Sequence, residues 1–284
     1  MSPLQRLRLY ALNLRITEMV NNLIKWYGGK VKQKSDILKY FKGEVKQYIE
    51  PFVGGGSIFL IAYSAFKECN NFILSDSNAN LINAYIQTRD NLSEVINIMR
   101  KLKHEQYYEI RKSFNSSINE RTPQQAGTML WLILSCFGGG WRENRQGEFN
   151  SSKGWSCNKG LNNYCKRLQE LSTILQDARI KISHQDFHVA LSNINIEPKS
   201  FFFFDPPYIK GAYSPGFEMC HHKLLADWCG YLDEMDARWL MSNAGDEINI
   251  MYADFIIDKK WVQRTCGGDV YRNNITKEYW IRNR

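Results

Sequence analysis

Residues 201–211 read FFFFDPPYIKG, and the fold turns on this stretch. Four consecutive phenylalanines leave no polar alternation, so they suit a strand buried on both faces in the middle of a parallel sheet. That strand runs into Asp205, and Pro206 and Pro207 then supply no backbone N–H, stiffen the turn and stop the strand. In an open α/β sheet, ligands bind in the crevice outside the carboxyl ends of the strands. Asp205 therefore stands where chemistry is done. The Asp205 carboxylate, the Pro206 carbonyl and the flat ring of Tyr208 make a fixed cup of acceptors. Such a cup fits an exocyclic amino group on an aromatic base, whose two N–H donors meet the acceptors while its ring stacks on the phenol.

The same grammar recurs outward from that point. KQYIEPFVGGGSIFLIAY, residues 46–63, reads as a short strand through Tyr48 and Ile49, a glycine turn and a helix. NFILSDSNANLINAY, residues 71–85, repeats it with the strand Phe72 to Leu74 and an acid at the strand end. After Ala178 the strands RIKISHQDF, SFFFFDPPY and ARWLMSNAG follow in series. Strand-turn-helix units in series predict an α/β fold with a mostly parallel, Rossmann-like sheet. Between about residues 91 and 176 helical spacing dominates, and the Gly-rich, polar segment CFGGGWRENRQGEFNSSKG, residues 136–154, interrupts it. We expect a catalytic domain formed by residues 24–90 and 177–284, a helical insert over 91–176, and a leader over 1–23.

Two features of the first units carry chemistry. Glu50 ends the first strand, and Phe52, Gly54 and Gly56 form F-x-G-x-G, a spacing that is neither the dinucleotide G-x-G-x-x-G nor the phosphate-binding G-x-x-x-x-G-K-[ST]. A pyrophosphate cradle is disfavoured, although three glycines are also ordinary turn chemistry. Asp76 falls 20 residues after Gly56, the distance at which an acid in a nucleotide-binding α/β fold accepts from ribose hydroxyls. It could equally cap the helix that begins near Asn78.

With 284 residues, 44% apolar and 23% charged, the chain can bury a sizeable core, and disordered or fibrous classes are excluded. Its formal net charge of +8 favours a polyanionic partner such as nucleic acid. The seven cysteines are odd in number and show no C-x-x-C pair or zinc-ligand spacing with histidine, which points to a reduced, intracellular (cytoplasmic) setting. No stretch approaches the roughly 18 apolar residues of a membrane span. His221 and His222 read as a solvated helix start.

Taken in order, KWYGGK (25–30), YIEPFVGGGS (48–57), LSDSN (74–78), WRENRQGEFN (141–150), HQDF (184–187), FFDPPY (203–208) and LMSNAGD (240–246) resemble the Dam-type, D12 class DNA adenine-N6 methyltransferases. The likeness covers most of the chain from Lys25. It implies S-adenosylmethionine as cofactor, S-adenosylhomocysteine as product and double-stranded DNA as substrate. Carried over by position, it puts Trp26, Tyr27, Gly28 and Lys30 near the methionine end of the cofactor. Glu50, Phe52, Gly54, Gly56 and Ser57 would lie beneath it, Asp76 on the ribose, and Asp186 and Phe187 around its adenine. Trp26 can also be read as plain core, and so can His184. Asp205, Pro206, Pro207 and Tyr208 would hold the flipped adenine, with Asp205 also facing the cofactor. DNA contacts would come from Lys25, Arg142, Asn144, Arg145 and Asn150, and the arginine and lysine types at 142 and 25 imply the site GATC. No metal is implied. A partner restriction endonuclease is compatible with the resemblance; so are, as alternatives, a catalytically silent DNA-binding regulator and methylation of RNA adenine or cytosine N4.

Overall fold

The computed structural model describes residues 24, 26, 28–155, 160–208, 217–245, 247–263 and 275–283. The strands are β1 (Gln47–Glu50), β2 (Asn71–Asp76), β3 (Ile180–His184), β4 (Ser200–Phe204), β5 (Arg238–Asn243), β6 (Ile256–Gln263) and β7 (Ile275–Arg282). They form one sheet in the order β3-β2-β1-β4-β5-β7-β6. The first five are parallel, and β7 enters antiparallel between β5 and β6. Chain order reverses between β1 and β4, and such a switch point opens a crevice at the carboxyl ends of the strands.

The phenylalanine run explains why β4 is central. Cβ atoms alternate across a strand, so Phe201 and Phe203 enter the cluster on one face while Phe202 and Phe204 enter the cluster on the other. None of the four is more than 3% exposed, and each contributes about 1.5–3 kcal/mol of burial. The strand is held from both sides. Its end, and Asp205 with it, cannot shift without disturbing two cores.

The helices are α1 (Lys34–Ile37), α2 (Ser57–Ala65), α3 (Ala79–Asp90), α4 (Leu92–Lys101), α5 (Tyr107–Ser116), α6 (Pro123–Ser135), α7 (Leu161–Leu175), α8 (Phe187–Ser192), α9 (Met219–Glu234) and α10 (Ile248–Met251). Helix α6 begins with Thr122 accepting from Gln125 N (3.2 Å) and with Pro123 in its first turn, an N-terminal pair that suits orphan backbone donors. Met129 to Ile133 are all fully buried; a helix apolar on every side belongs at the centre of a layer. The cluster that starts on one sheet face continues through α3 into α4, α6 and α7. The opposite face is covered by α8, α9 and α10.

Candidate active site

Three carboxyls stand at the ends of adjacent parallel strands: Glu50 on β1, Asp76 on β2 and Asp205 just past β4. The Lys30 ammonium lies 3.0 Å from Asp205 Oδ1 and also donates to the Gly28 carbonyl (3.1 Å). Ser242, the β5 residue beside Asp205, donates its hydroxyl to the same Oδ1 (2.5 Å). Burial pushes the Asp205 carboxyl up, and Lys30 and Ser242 pull it back. Burial alone would lower Lys30, but Asp205, Tyr208 and Glu278 outweigh it and raise its pKa. The ammonium also sits 4.9 Å from the centre of the Tyr208 ring. It remains charged.

Glu50 is 1% exposed and accepts from the Tyr48 hydroxyl (2.6 Å). Burial raises its pKa well above the usual carboxylate range, and the nearby Asp205 and Asp76 add to the rise. Asp76 accepts from Gly54 N (3.0 Å) and Asn78 N (2.9 Å), tying the glycine turn to the second strand end. The cap of α3 is Asn78, which accepts from Leu81 N, so Asp76 is not spent on that helix. The turn itself admits no side chain at its tightest points. A Cβ on Gly55 would lie 2.4 Å from the Ile24 carbonyl, and Gly56, at φ 73°, would meet the Tyr85 hydroxyl at 2.5 Å. Ser57 follows, buried, with its hydroxyl on Lys30 N (3.3 Å).

An aromatic wall stands beside the acids. Phe52 stacks on Phe187 (5.3 Å) and meets Phe217 edge-on (5.8 Å). Phe187 is only 2% exposed, whereas Asp186 caps α8 by accepting from His188 N. Trp26 covers Gly54 and stacks on Trp141 (6.0 Å, 11°). Lys25 and Tyr27, expected at the DNA and the cofactor, lie outside the described residues, as do residues 1–23.

Two histidine readings need correction. His184 is exposed rather than core, because β3 is the sheet's edge strand; its Nε2 meets the Ser77 carbonyl at 3.1 Å. His222 is not solvated but 1% exposed under the edge of Phe217. Burial and His221 lower its pKa, with the Pro207 carbonyl acting the other way.

Across the rim, residues 141–150 form a small hairpin through the Glu143–Phe149 bridge. Arg142 is exposed, and its Nε donates to Asn150 Oδ1 (2.8 Å), which fixes the guanidinium plane. Asn144 instead shapes the turn, accepting from Gln146 N and Glu148 N, and Arg145 is exposed. Glu143 Oε1 accepts from both Trp141 Nε1 (2.6 Å) and Asn78 Nδ2 (3.0 Å), which fastens the hairpin to the start of α3. Sequence reasoning gave no role to Ser242, Gln33, Glu143 or Glu278. A charged residue inside the otherwise apolar alternation of EYWI was the available signal for Glu278.

A switch-point rim with a desolvated acid on each of three strands, a glycine turn and a rigid D-P-P-Y cup defines a methyltransferase of the Rossmann-like class. The chain belongs to the D12 class N6 adenine-specific DNA methyltransferases, whose family model matches residues 26–266. It is 28% identical over 285 residues to the type II methyltransferase M.MjaIII of Methanocaldococcus jannaschii, covering 90% of this chain and 96% of that one. It is 26% identical over 258 residues to the type II methyltransferase M1.LlaDCHI of Lactococcus lactis subsp. cremoris, covering 86% and 88%. With the DNA adenine methylase of Escherichia coli (strain K12) it shares 34% identity over 134 residues, 45% of each chain. The protein is thus an adenine-specific DNA methyltransferase. S-adenosylmethionine is the methyl donor of such a transfer, and the rim suits it: the carboxyls Glu50, Asp76 and Asp205 gather where a cationic ligand would lie, and the half-buried Phe52 puts an aromatic ring beside them. Among the described residues, no helix is long and apolar enough to cross a membrane.

Proposed function

We propose that this protein methylates N6 of an adenine flipped out of double-stranded DNA, with GATC as its site, alongside a restriction endonuclease of matching specificity. The observation that carries the reading is Asp205, held rigidly at the end of β4 by Lys30 and Ser242 beside the Tyr208 ring. Bound S-adenosylmethionine supplies a methyl group already made electrophilic by its sulfonium. The N6 lone pair of adenine is delocalised into the ring. Asp205 and the Pro206 carbonyl accept its N–H groups and localise the lone pair, and positioning then supplies much of the barrier reduction. Tyr208 stacks on the extruded base and offsets part of an unstacking cost of roughly a few kcal/mol.

Residues 24–90 and 177–284 act as the catalytic part in this reading, and 91–176 as the part that reads DNA. Support for the latter comes from exposed Arg142 and Arg145 and from the apolar rings of Phe137 (57% exposed) and Trp155 (95% exposed) nearby. Pairing with an endonuclease is supported by the type II names of two relatives. The test is transfer from tritiated S-adenosylmethionine to unmethylated plasmid, followed by long-read mapping of N6-methyladenine. Wild type should mark GATC, Asp205→Asn should lose at least about 100-fold in rate, and Arg142→Ala should spread the mark to sites differing at one guanine. A wild-type chain that binds DNA and cofactor but leaves no N6-methyladenine would overturn the reading.

A further inference from the structure

Glu278 is a buried carboxyl, 6% exposed, on a strand distant in sequence from the D-P-P-Y turn. The antiparallel course of β7 brings it to the same rim. Asn243, the last residue of β5, pairs with Tyr279, so Glu278 reaches just beyond the carboxyl end of β5. Ser242 pairs with Trp280, and alternation puts Glu278 on the face shared by Trp280, Ser242 and Asp205. Glu278 Oε2 accepts from Gln33 Nε2 (2.8 Å), and Gln33 N in turn donates to the Lys30 carbonyl (2.8 Å). The Glu278 carboxylate is therefore fastened to the turn that carries Lys30, and its charge acts on Lys30, Asp205 and Tyr208.

The use of the two Asp205 oxygens gives this arrangement a purpose. Lys30 and Ser242 both meet Oδ1, and no hydrogen bond or ion pair of the described residues ends on Oδ2. Oδ2 is the oxygen left for an incoming amine. An ammonium that swung across both oxygens would neutralise the acceptor the reaction needs. We propose that Glu278 is a positioning residue for the methyl transfer: through Gln33 and as a second counter-charge, it holds Lys30 on Oδ1 and keeps Oδ2 of Asp205 presented to the target amine. This rests on the reading that Asp205 receives that amine.

Glu278→Gln tests it, because the substitution removes the charge while keeping the volume and an acceptor for Gln33. We expect kcat to fall about tenfold with KM for DNA and cofactor nearly unchanged, the signature of an interaction used in the transition state. In a Lys30→Gln background, Glu278→Gln should cost nothing further, since the ammonium it positions is already gone. Should the Lys30 variant fail to fold, Glu278→Asp decides: restored charge should recover part of kcat relative to Glu278→Gln, whereas mere packing would favour the isosteric glutamine. Unchanged kcat in Glu278→Gln, costs that multiply across the two positions, or a raised KM at full kcat would each overturn the proposal. Wild-type transfer to plasmid is measured alongside. If wild type is inactive, the reading of Asp205 falls and takes this inference with it; if wild type is active and the costs multiply, only the role of Glu278 falls.

Discussion

At the scale of single residues, the burial of Glu50 carries a cost that bears on the stability of the fold. Its folded pKa lies well above the 4.5 of an ordinary glutamate because the carboxyl is buried. Above pH 4.5 the unfolded chain gives up that proton before the fold does, so this group's support of the fold is full below pH 4.5 and is lost as pH rises through the folded value. Glu50→Gln keeps an acceptor for the Tyr48 hydroxyl and removes the penalty. The empty protein should gain on the order of 1 kcal/mol at neutral pH, with the gain vanishing toward pH 4.5, while S-adenosylmethionine binds more weakly. Thermal melts across pH and calorimetry with the cofactor check both; a variant less stable than wild type at pH 7 would contradict the account. Asp205 and Asp76 were legible in sequence because each ends a strand and precedes a turn, the local pattern that places a side chain at a sheet's rim. Ser242 and Glu278 were not, because their approach to Asp205 depends on strand order and on the reversal of β7, and no local pattern reports those.

At the scale of elements, the hairpin of residues 141–150 is hydrogen-bonded to the start of α3 through the Glu143 carboxyl. Glu143 takes hydrogen bonds from Trp141 and Asn78, and burial raises its pKa despite them. Glu143→Ala strands two donors, a loss of about 1–3 kcal/mol, and frees the hairpin that aims Arg142. The affinity for DNA should therefore drop several-fold with kcat little changed, while Glu143→Gln, which keeps an acceptor, stays near wild type. Fluorescence anisotropy with a duplex and steady-state kinetics on the same variants read this out. If Glu143→Ala bound DNA as wild type does, the hairpin would not need its fastening. From the sequence alone this segment was visible only as a polar, glycine-rich interruption; the Trp26–Trp141 stack that closes it over Gly54 joins residues 115 positions apart, beyond the reach of any periodicity.

At the scale of the whole molecule, a chain of net charge +8 should bind duplex DNA by displacing counterions. Each phosphate neutralised adds about −0.9 to the slope of log K against log salt, so several contacts predict a slope of several units. Anisotropy over a salt series measures it, and a flat line would remove duplex DNA as the partner. The class of fold was readable from the repeated strand-turn-helix grammar and from the shift to helical spacing near residue 91. The way one cluster runs unbroken from the sheet through α3 into α4, α6 and α7 was not, because periodicity tells which face of a helix is apolar and not what covers it.

Strand β7 has a consequence for how the protein is made. It comes last among the described strands, yet it lies between β5 and β6 and delivers Glu278 to Gln33, 245 residues earlier. A nascent chain emerging from the ribosome without residues 275–282 leaves β5 and β6 with unpaired edges and leaves the Lys30 turn without its Gln33–Glu278 hydrogen bond. Translation must run through this strand before the rim can close, so a growing polypeptide holds no finished rim until its last described strand is made.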